Sequence, residues 1–198
     1  MSEIGPHLVV LAGPNGSGKT TTAPKLLKGK LGVSEFVNAD LIASGLSVFD
    51  PELAGLAAGR VMLARLTELA ARRINFAFET TLASRSFAPW IVQLMAEGYR
   101  FHLVFLWLPN PDLAVARVAD RVRMGGHGVP EETIRRRYDV GLRNFFTLYR
   151  PLATTWEMVD NCNVQATRLI AAGRGAVTDV VADPNNWNLI EQEFSHGH

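Results

Sequence analysis

The chain has 198 residues, 47% of them hydrophobic and 20% charged, so it can bury a substantial core and is not disordered as a whole. Its 20 Lys and Arg against 19 Asp and Glu give a formal net charge of +1, which argues against a partner that is a nucleic acid or a membrane surface. The single cysteine, Cys162, excludes an internal disulfide framework and a multi-cysteine zinc site. The N-terminal residues do not read as a secretory signal and no apolar run is long enough to span a bilayer, so we expect a soluble cytoplasmic protein.

Short apolar runs alternate with helical patterns along the chain, which predicts an α/β protein with a parallel sheet and helices on both faces. We expect strands at residues 7–12, 35–38, 75–79, 99–108 and 157–159, and helices at 20–30, 51–73, 86–97, 112–124 and 131–149. On the long helix that begins at Pro51, one face is predicted to carry Leu56, Leu63, Leu66 and Ala70. The C-terminal extension, about 163–198, could form a hairpin from 168–172 and 176–181, followed by a helix or loop at 185–194.

The segment between the first strand and the first helix matches the phosphate-binding pattern G-x-x-x-x-G-K-[ST] in full. Glycines in such a loop let backbone N–H groups converge on phosphate oxygens, and the helix N-terminus adds a partial positive charge. Lys19 would reach the β- and γ-phosphates, Thr20 would bind Mg²⁺, and Thr21 would contact the α-phosphate. The predicted nucleoside triphosphate site comprises Gly13, Pro14, Asn15, Gly16, Ser17, Gly18, Lys19, Thr20 and Thr21.

Two acidic residues follow predicted strands at the edge of the sheet where the phosphate loop lies. Asp40 could orient and deprotonate an acceptor hydroxyl or hold Mg²⁺, or it could simply cap the next helix. Glu79 could act as a Walker B carboxylate, bind substrate hydroxyls, or be a solvated loop acid. Arg85 follows at the start of a predicted helix, where the helix dipole disfavours a cation unless it binds an anion. The strand at 99–108 ends without an acid and cannot serve as a Walker B strand.

Residues 117–150 contain eight arginines but only four acidic residues, so this segment has a local excess of positive charge. Arg117 and Arg121 share a helix face, glycines at 125, 126 and 128 interrupt the helices, and the next helix carries arginines at 135–137. This pattern predicts a mobile arginine-bearing lid at about 117–137 that closes over the transferring phosphate. Consecutive residues on a helix point about 100° apart, so at most one or two of the three arginines face the site.

We favour Arg121 and Arg137 as the residues that act on the transferring phosphate, with Arg117 closer to the nucleotide. Asn161 follows the last predicted parallel strand, where P-loop kinases often border the adenine. It is therefore either a contact to the base or an ordinary turn residue.

These motifs resemble, in their order along the chain, those of the zeta toxin family. The shared segments are the phosphate loop from Leu11 to Thr20, Asn38-Ala39-Asp40, the stretch from Phe78 to Leu82, the Gly-Gly-His-x-Val-Pro segment at 125–130, and Val159-Asp160-Asn161. The resemblance covers residues 7–162. It implies a P-loop NTPase fold of the nucleotide-kinase type, which we expect to form one domain over residues 1–198.

Characterised members of this family use ATP and Mg²⁺ to phosphorylate the sugar of UDP-N-acetylglucosamine until an antitoxin covers the ATP site. By position, the resemblance makes Asp40 the catalytic base, Lys19 and Thr20 the phosphate and Mg²⁺ site, and Glu79 with Thr81 the substrate motif, with Asp40 also close to the metal. Arg85 stands two residues later than the arginine of the family motif.

The sequence therefore predicts an ATP-dependent small-molecule kinase whose acceptor is a UDP-sugar such as UDP-N-acetylglucosamine, with an antitoxin protein as a possible partner. Two alternatives remain open. The acceptor could be another small hydroxyl compound, such as a nucleoside or an antibiotic. The chain could also be a nucleotide-dependent switch or ATPase that acts by binding a protein.

Overall fold

The computed structural model describes residues 5–30, 33–46, 51–126, 128–163 and 166–195. His127, within the predicted glycine-rich segment of the lid, lies outside these residues, as do positions 164–165 and 196–198 of the C-terminal extension. None of the described helices is both long enough and apolar enough to cross a membrane.

In this part of the chain, seven strands form one sheet in the order β2-β3-β1-β4-β5-β6-β7. The strands are β1 (His7–Ala12), β2 (Glu35–Val37), β3 (Phe76–Thr80), β4 (Arg100–Trp107), β5 (Thr155–Asp160), β6 (Arg168–Arg174) and β7 (Val177–Val181). The first five are parallel, as predicted, whereas β6 and β7 are antiparallel to their neighbours. The predicted C-terminal hairpin is thus confirmed, and it extends the same sheet.

Helices cover both faces of this sheet. They are α1 (Lys19–Lys30), α2 (Ala39–Leu46), α3 (Pro51–Ala71), α4 (Phe87–Ala96), α5 (Pro111–Arg123), α6 (Glu131–Asn144), α7 (Arg150–Leu152) and α8 (Pro184–Phe194). Alternate residues of β1 enter two separate hydrophobic clusters, Leu8 and Val10 one and Val9 and Leu11 the other, as a strand buried on both faces requires. Between α6 and α7 the helix adopts π geometry over Phe145–Tyr149, so the predicted helix at 131–149 is correct in extent but not regular.

The predicted apolar face of α3 is correct for Leu66 and Ala70 but wrong for Leu56 and Leu63. Leu56 and Leu63 are 69% and 54% exposed, and the buried residues of this helix also include Ala58, Met62 and Leu69. Both stripes satisfy helical periodicity, and a small residue such as Ala58 permits the closer approach to neighbouring elements. The rotation of α3 about its axis was therefore not readable from its apolar residues alone.

The strand order places a crevice at the carboxyl end of β1. Its neighbours β3 and β4 lie on opposite sides of it, and chains leaving such a switch point diverge to opposite faces of the sheet. In the register, Leu11 is opposite Glu79 and Ala12 is opposite Thr80, so β1 and β3 end level with one another. The loop after β1 and the acid at the end of β3 consequently meet at one edge of the sheet.

Candidate functional site

The loop between β1 and α1 is tightly packed against β4 and α5. At Gly13, with φ of +137°, a Cβ atom would stand 2.3 Å from the carbonyl oxygen of Leu106. At Gly16, with φ of +76°, it would stand 2.8 Å from the carbonyl oxygen of Ala114. Glycine is required at both positions because the backbone conformation and the available space exclude a side chain. The predicted phosphate loop therefore has the required strand, turn and helix context.

Lys19 is folded back over this loop. Its side chain is 8% exposed, and Nζ donates hydrogen bonds to the carbonyl oxygens of Gly13 and Pro14, at 2.8 and 2.9 Å. Burial lowers the pKa of Lys19, and the nearby carboxylates of Glu79 and Asp40 oppose that shift. The ammonium group is thus held at the loop, where an incoming phosphate would supply oxygen acceptors.

Asn38 connects the second strand to the phosphate loop and caps α2. Its Oδ1 accepts hydrogen bonds from the backbone N–H groups of Asp40 and Leu41, at 2.7 and 3.1 Å. Its Nδ2 donates to Oγ1 of Thr20 at 3.2 Å. The alternative that Asp40 caps this helix is therefore wrong, because Asn38 does so. The carboxylate of Asp40 is left to face the site, with Oδ2 3.9 Å from Nη1 of Arg121.

Glu79 lies beside the loop, where Thr20 Oγ1 donates a hydrogen bond to its Oε2 at 3.0 Å. Burial raises the pKa of Glu79, while Lys19 and the Thr20 hydrogen bond oppose the shift. Thr20, Asp40 and Glu79 supply oxygen ligands of the kind that Mg²⁺ prefers. In the described ranges, no three or more His, Cys, Asp or Glu residues are grouped so as to bind a metal. The oxygen set thus fits an ion that also takes ligands from a nucleotide, and not a site made by the protein alone.

Two adjoining cavities meet at these residues. The larger, which we call the cleft, has a volume of about 890 Å³ and is lined by the phosphate loop, Thr21, Arg117, Arg121 and Cys162, among others. The smaller, which we call the chamber, has a volume of about 260 Å³ and is lined by residues that include Thr81, Phe87 and Arg137. Asn15, Lys19, Asp40 and Glu79 line both. A group bound in the cleft would therefore face one bound in the chamber across Asp40.

The arginines of α5 and α6 divide between these cavities. Arg121 lines the cleft, and its Nε and Nη2 are buried without a hydrogen-bond partner among the described residues. Arg137 lines the chamber, while Arg135 turns away to form ion pairs with Asp112 and Glu131 at 2.7 and 2.8 Å. Of the three consecutive arginines, Arg137 is the one at the site. The predicted action on the transferring phosphate would require a position over the cleft. Arg137 lies instead on the chamber side.

Arg117 and Asn161 both donate hydrogen bonds to backbone carbonyl oxygens of the phosphate loop. Arg117 donates to the carbonyl oxygens of Gly16, Asn161 and Cys162 at 3.3, 3.0 and 2.5 Å. Asn161 is 0% exposed, and its Nδ2 donates to the carbonyl oxygen of Ser17 at 2.6 Å. The predicted contact of Asn161 with the adenine base is therefore contradicted by its burial.

The predicted substrate residues after β3 are not all at the site. Thr81 lines the chamber, whereas Arg85 is exposed and lines neither cavity. Arg85 is therefore not placed where the resemblance implied it. The intervening loop is held by α6 and the π-helical turn, because Asn144 Nδ2 donates to the carbonyl oxygen of Leu82 and Tyr149 donates to that of Ser84.

The structure shows contacts of Asn38 and Asn15 that the sequence does not predict. The sequence pattern marks Asn38 only as part of the Asn38-Ala39-Asp40 motif, although an Asn immediately before a helix is a typical N-cap signal. Asn15, predicted as part of the nucleoside triphosphate site, is 7% exposed, lines both cavities, and has an Oδ1 without a partner among the described residues. No sequence pattern marks that orientation.

Comparison with known proteins agrees with this architecture. The model of the AAA_33 family, described as an AAA domain, matches residues 8–144. An uncharacterised protein of Haemophilus influenzae is 28% identical over 130 residues, which are 66% of this chain and 91% of that protein.

Among solved structures, a chain of the AvrRxo1-ORF1:-ORF2 complex with ATP superposes with a TM-score of 0.74 at 17% identity over 94% of this chain. Our chain spans only 63% of the length of that protein. A chain of the PezAT chromosomal toxin–antitoxin system of Streptococcus pneumoniae has a TM-score of 0.66 at 15% identity, covering 98% of this chain and 80% of that one. The predicted P-loop fold and the resemblance to zeta toxin-like proteins are confirmed at the level of the fold.

Proposed function

The chain belongs to the AAA_33 family of AAA domains, and from that premise we propose that it is a phosphotransferase that moves the γ-phosphate of ATP to a hydroxyl of a small molecule. The observation that carries the proposal is the position of Asp40. Its carboxylate lines both the cleft and the chamber, and the cap made by Asn38 leaves it available for the site. A protein that acted only as a nucleotide-dependent switch would have no need of a chamber for a second molecule.

In the proposed reaction, ATP occupies the cleft with its phosphates on the N–H groups of the loop. Asp40 orients the acceptor hydroxyl and accepts its proton while the new O–P bond forms and the bond from phosphorus to the ADP oxygen breaks. Lys19 would exchange its loop carbonyls for phosphate oxygens. Arg121 has two buried N–H groups without partners among the described residues, and these would bind charge that develops on the transferring group.

Mg²⁺ fits the oxygens of Thr20, Asp40 and Glu79 and would neutralise charge on the phosphates when bound. Thr20 stands between Glu79 and Asn38, which hold its hydroxyl in place at 3.0 and 3.2 Å. In this proposal, Asp40 lies next to both the acceptor hydroxyl and the Mg²⁺ bound to the phosphates.

The proposal also covers the identity of the acceptor and of a protein partner. The resemblance to zeta toxins makes UDP-N-acetylglucosamine, or a related UDP-sugar, the first acceptor to test. The matched PezAT chain comes from a toxin–antitoxin system. We therefore propose an antitoxin protein as a possible partner of this chain.

The test is transfer of labelled γ-phosphate to a panel of nucleotide sugars, nucleosides and sugars, with Lys19→Ala as the blank. We expect Asp40→Asn to lower kcat by a factor of about 10²–10⁴ while ATP still binds, because the amide cannot accept the proton. Asp139→Asn is the matched control, since Asp139 is exposed on α6 and lines neither cavity. Transfer by Asp40→Asn at the wild-type rate would contradict the proposed mechanism.

A further inference from the structure

The chamber is a compact cavity lined by charged side chains of both signs. Its volume of about 260 Å³ lies below the range of about 300–1,000 Å³ of pockets for drug-sized ligands. Lys19, Asp40 and Glu79 line it on the side shared with the cleft. Arg137 lines the chamber but not the cleft. Met62 and Phe87 contribute apolar wall.

Arg137 is a half-buried cation without an assigned counterion. No ion pair or hydrogen bond joins its guanidinium to any other described residue, although Asp40 is near enough to favour its charge. Its neighbours differ from it, since Arg135 is paired with Asp112 and Glu131 and Arg136 is exposed. A partly buried charge that lacks a partner is costly, and burial accordingly lowers the pKa of Arg137. An anionic ligand group in the chamber would remove that cost.

The charged side chains that line the chamber favour different groups of one molecule. An anion would be repelled by the carboxylates of Asp40 and Glu79, so it has to lie toward Arg137. A hydroxyl would be favoured beside Asp40, where the cleft and the chamber meet. A guanidinium presents parallel N–H donors whose geometry matches two oxygens of a phosphate.

We propose that the acceptor is a compact hydroxyl compound carrying a phosphate, and that Arg137 binds this phosphate while Asp40 takes the hydroxyl. This inference rests on the proposed kinase function and specifies its substrate class. Arg137 then selects the acceptor and does not act on the γ-phosphate of ATP. The phosphate can belong to a free sugar phosphate or to the phosphate end of a nucleotide sugar, which share this chemistry.

The first experiment compares transfer to N-acetylglucosamine, N-acetylglucosamine 1-phosphate and UDP-N-acetylglucosamine. For the wild type we expect kcat/KM to be at least about tenfold higher with the two phosphorylated compounds than with the neutral sugar. Arg137→Gln should remove that preference through a higher acceptor KM, whereas the control Arg136→Gln should keep it. Comparing the sugar phosphate with the UDP-sugar shows which of the two compounds is the better acceptor. A preference for the UDP-sugar means that its further groups bind outside the chamber.

Two results would overturn the inference. One is an equal kcat/KM for the neutral and phosphorylated acceptors in the wild type. The other is a loss of kcat by Arg137→Gln that is the same for all three acceptors, which would place Arg137 on the transferring phosphate.

A binding experiment keeps the inference testable if none of the three compounds is an acceptor. With the cleft filled by a non-hydrolysable ATP analogue and Mg²⁺, inorganic phosphate should raise the Tm of the wild type and of Arg136→Gln but not of Arg137→Gln. No shift for the wild type would overturn the inference, even if a neutral acceptor were phosphorylated. A normal shift without transfer to any acceptor would count against the proposed function alone.

Discussion

Asn38 determines what Asp40 is able to do. Both residues follow β2, and either has a side chain that could cap α2. Because Oδ1 of Asn38 accepts the N–H groups of Asp40 and Leu41, the carboxylate of Asp40 does not have to. The same amide donates to Thr20, so one neutral residue fixes both the hydroxyl proposed to bind Mg²⁺ and the proposed base.

Glu79 is expected to lower the stability of the folded protein at neutral pH, because it is buried at the site. Its pKa is raised by burial, so ionising it in the folded state costs free energy that the unfolded chain does not lose. Stability is then lost as the pH rises from the unfolded value, about 4.3, through the raised folded value. We expect Glu79→Gln to raise the free energy of unfolding near pH 7, and to have a smaller effect near pH 4, while transfer activity falls.

Urea unfolding at the two pH values measures this effect. Glu132→Gln is the control, because Glu132 is exposed on α6 and should show little difference between the two. The same gain in stability at both pH values would mean that ionisation of Glu79 is not the cause.

At the scale of elements, α6 positions the loop that follows β3. Leu82 has a φ of +57°, a conformation that a residue with a branched side chain rarely adopts. Two hydrogen bonds hold this loop, one from Asn144 to Leu82 and one from Tyr149 to Ser84. Residues five apart on an α-helix point about 140° away from each other, whereas the wider π-helical turn brings them closer to one face. The π geometry therefore allows both side chains to reach the same loop.

We expect Asn144→Ala to lower the free energy of unfolding by about 1–3 kcal/mol, because the carbonyl oxygen of Leu82 loses its buried donor. The acceptor KM should rise while the affinity for ATP is kept, since the loop carries Thr81 into the chamber and not into the cleft. Steady-state kinetics with each substrate varied in turn separates the two. The control is Thr147→Ala in the same turn, where the hydroxyl donates only to the carbonyl oxygen of Arg143.

An acceptor KM that stayed at the wild-type value in a destabilised Asn144→Ala protein would contradict this prediction. Asn144 would then support the fold without positioning the chamber.

For the molecule as a whole, Arg150 joins the C-terminal segment to the rest of the fold. Its guanidinium carbon lies 4.7 Å from the ring centre of Trp156 and 5.4 Å from that of Trp187, on β5 and α8. Nη2 donates to the carbonyl oxygen of Ala176 at 2.8 Å and to Thr178 at 2.9 Å, in the β6–β7 hairpin. Arg150 therefore adds cation–π contacts and hydrogen bonds to the strand pairing and core packing that join the predicted C-terminal extension to the sheet.

Arg150→Ala is expected to lower the free energy of unfolding by about 3 kcal/mol, because it removes stacking on desolvated rings and leaves the hairpin acceptors unpaired. Urea unfolding followed by tryptophan fluorescence is a suitable measurement, since Trp156 and Trp187 stack with ring centres 5.5 Å apart beside the guanidinium. Arg143→Ala, an exposed position on α6, should cost less than about 0.5 kcal/mol. A loss as small as that for Arg150→Ala would mean that strand pairing and apolar packing hold the extension without help from this cation.

The elements and the phosphate loop could be read from the sequence because they depend on short-range features. Apolar runs of strand length, helical spacing and a glycine-rich turn act through backbone conformation and neighbours a few residues away. The prediction accordingly recovered β1 as His7–Ala12 and the loop that follows it. It also recovered the C-terminal hairpin, but not its antiparallel place in the sheet, because strand partners are distant along the chain.

The roles of individual side chains depended on contacts between distant segments. Whether Arg135 or Arg137 faces the chamber is set by the rotation of α6, which the buried contacts of Ile134, Tyr138 and Leu142 determine. Asn161 lies 144 residues from Ser17 and yet bonds to it, so no local pattern could distinguish a base contact from a support of the loop. Local sequence thus specifies that a phosphate is bound, while the packing of remote elements specifies which side chains surround it, because packing alone sets their rotation and depth.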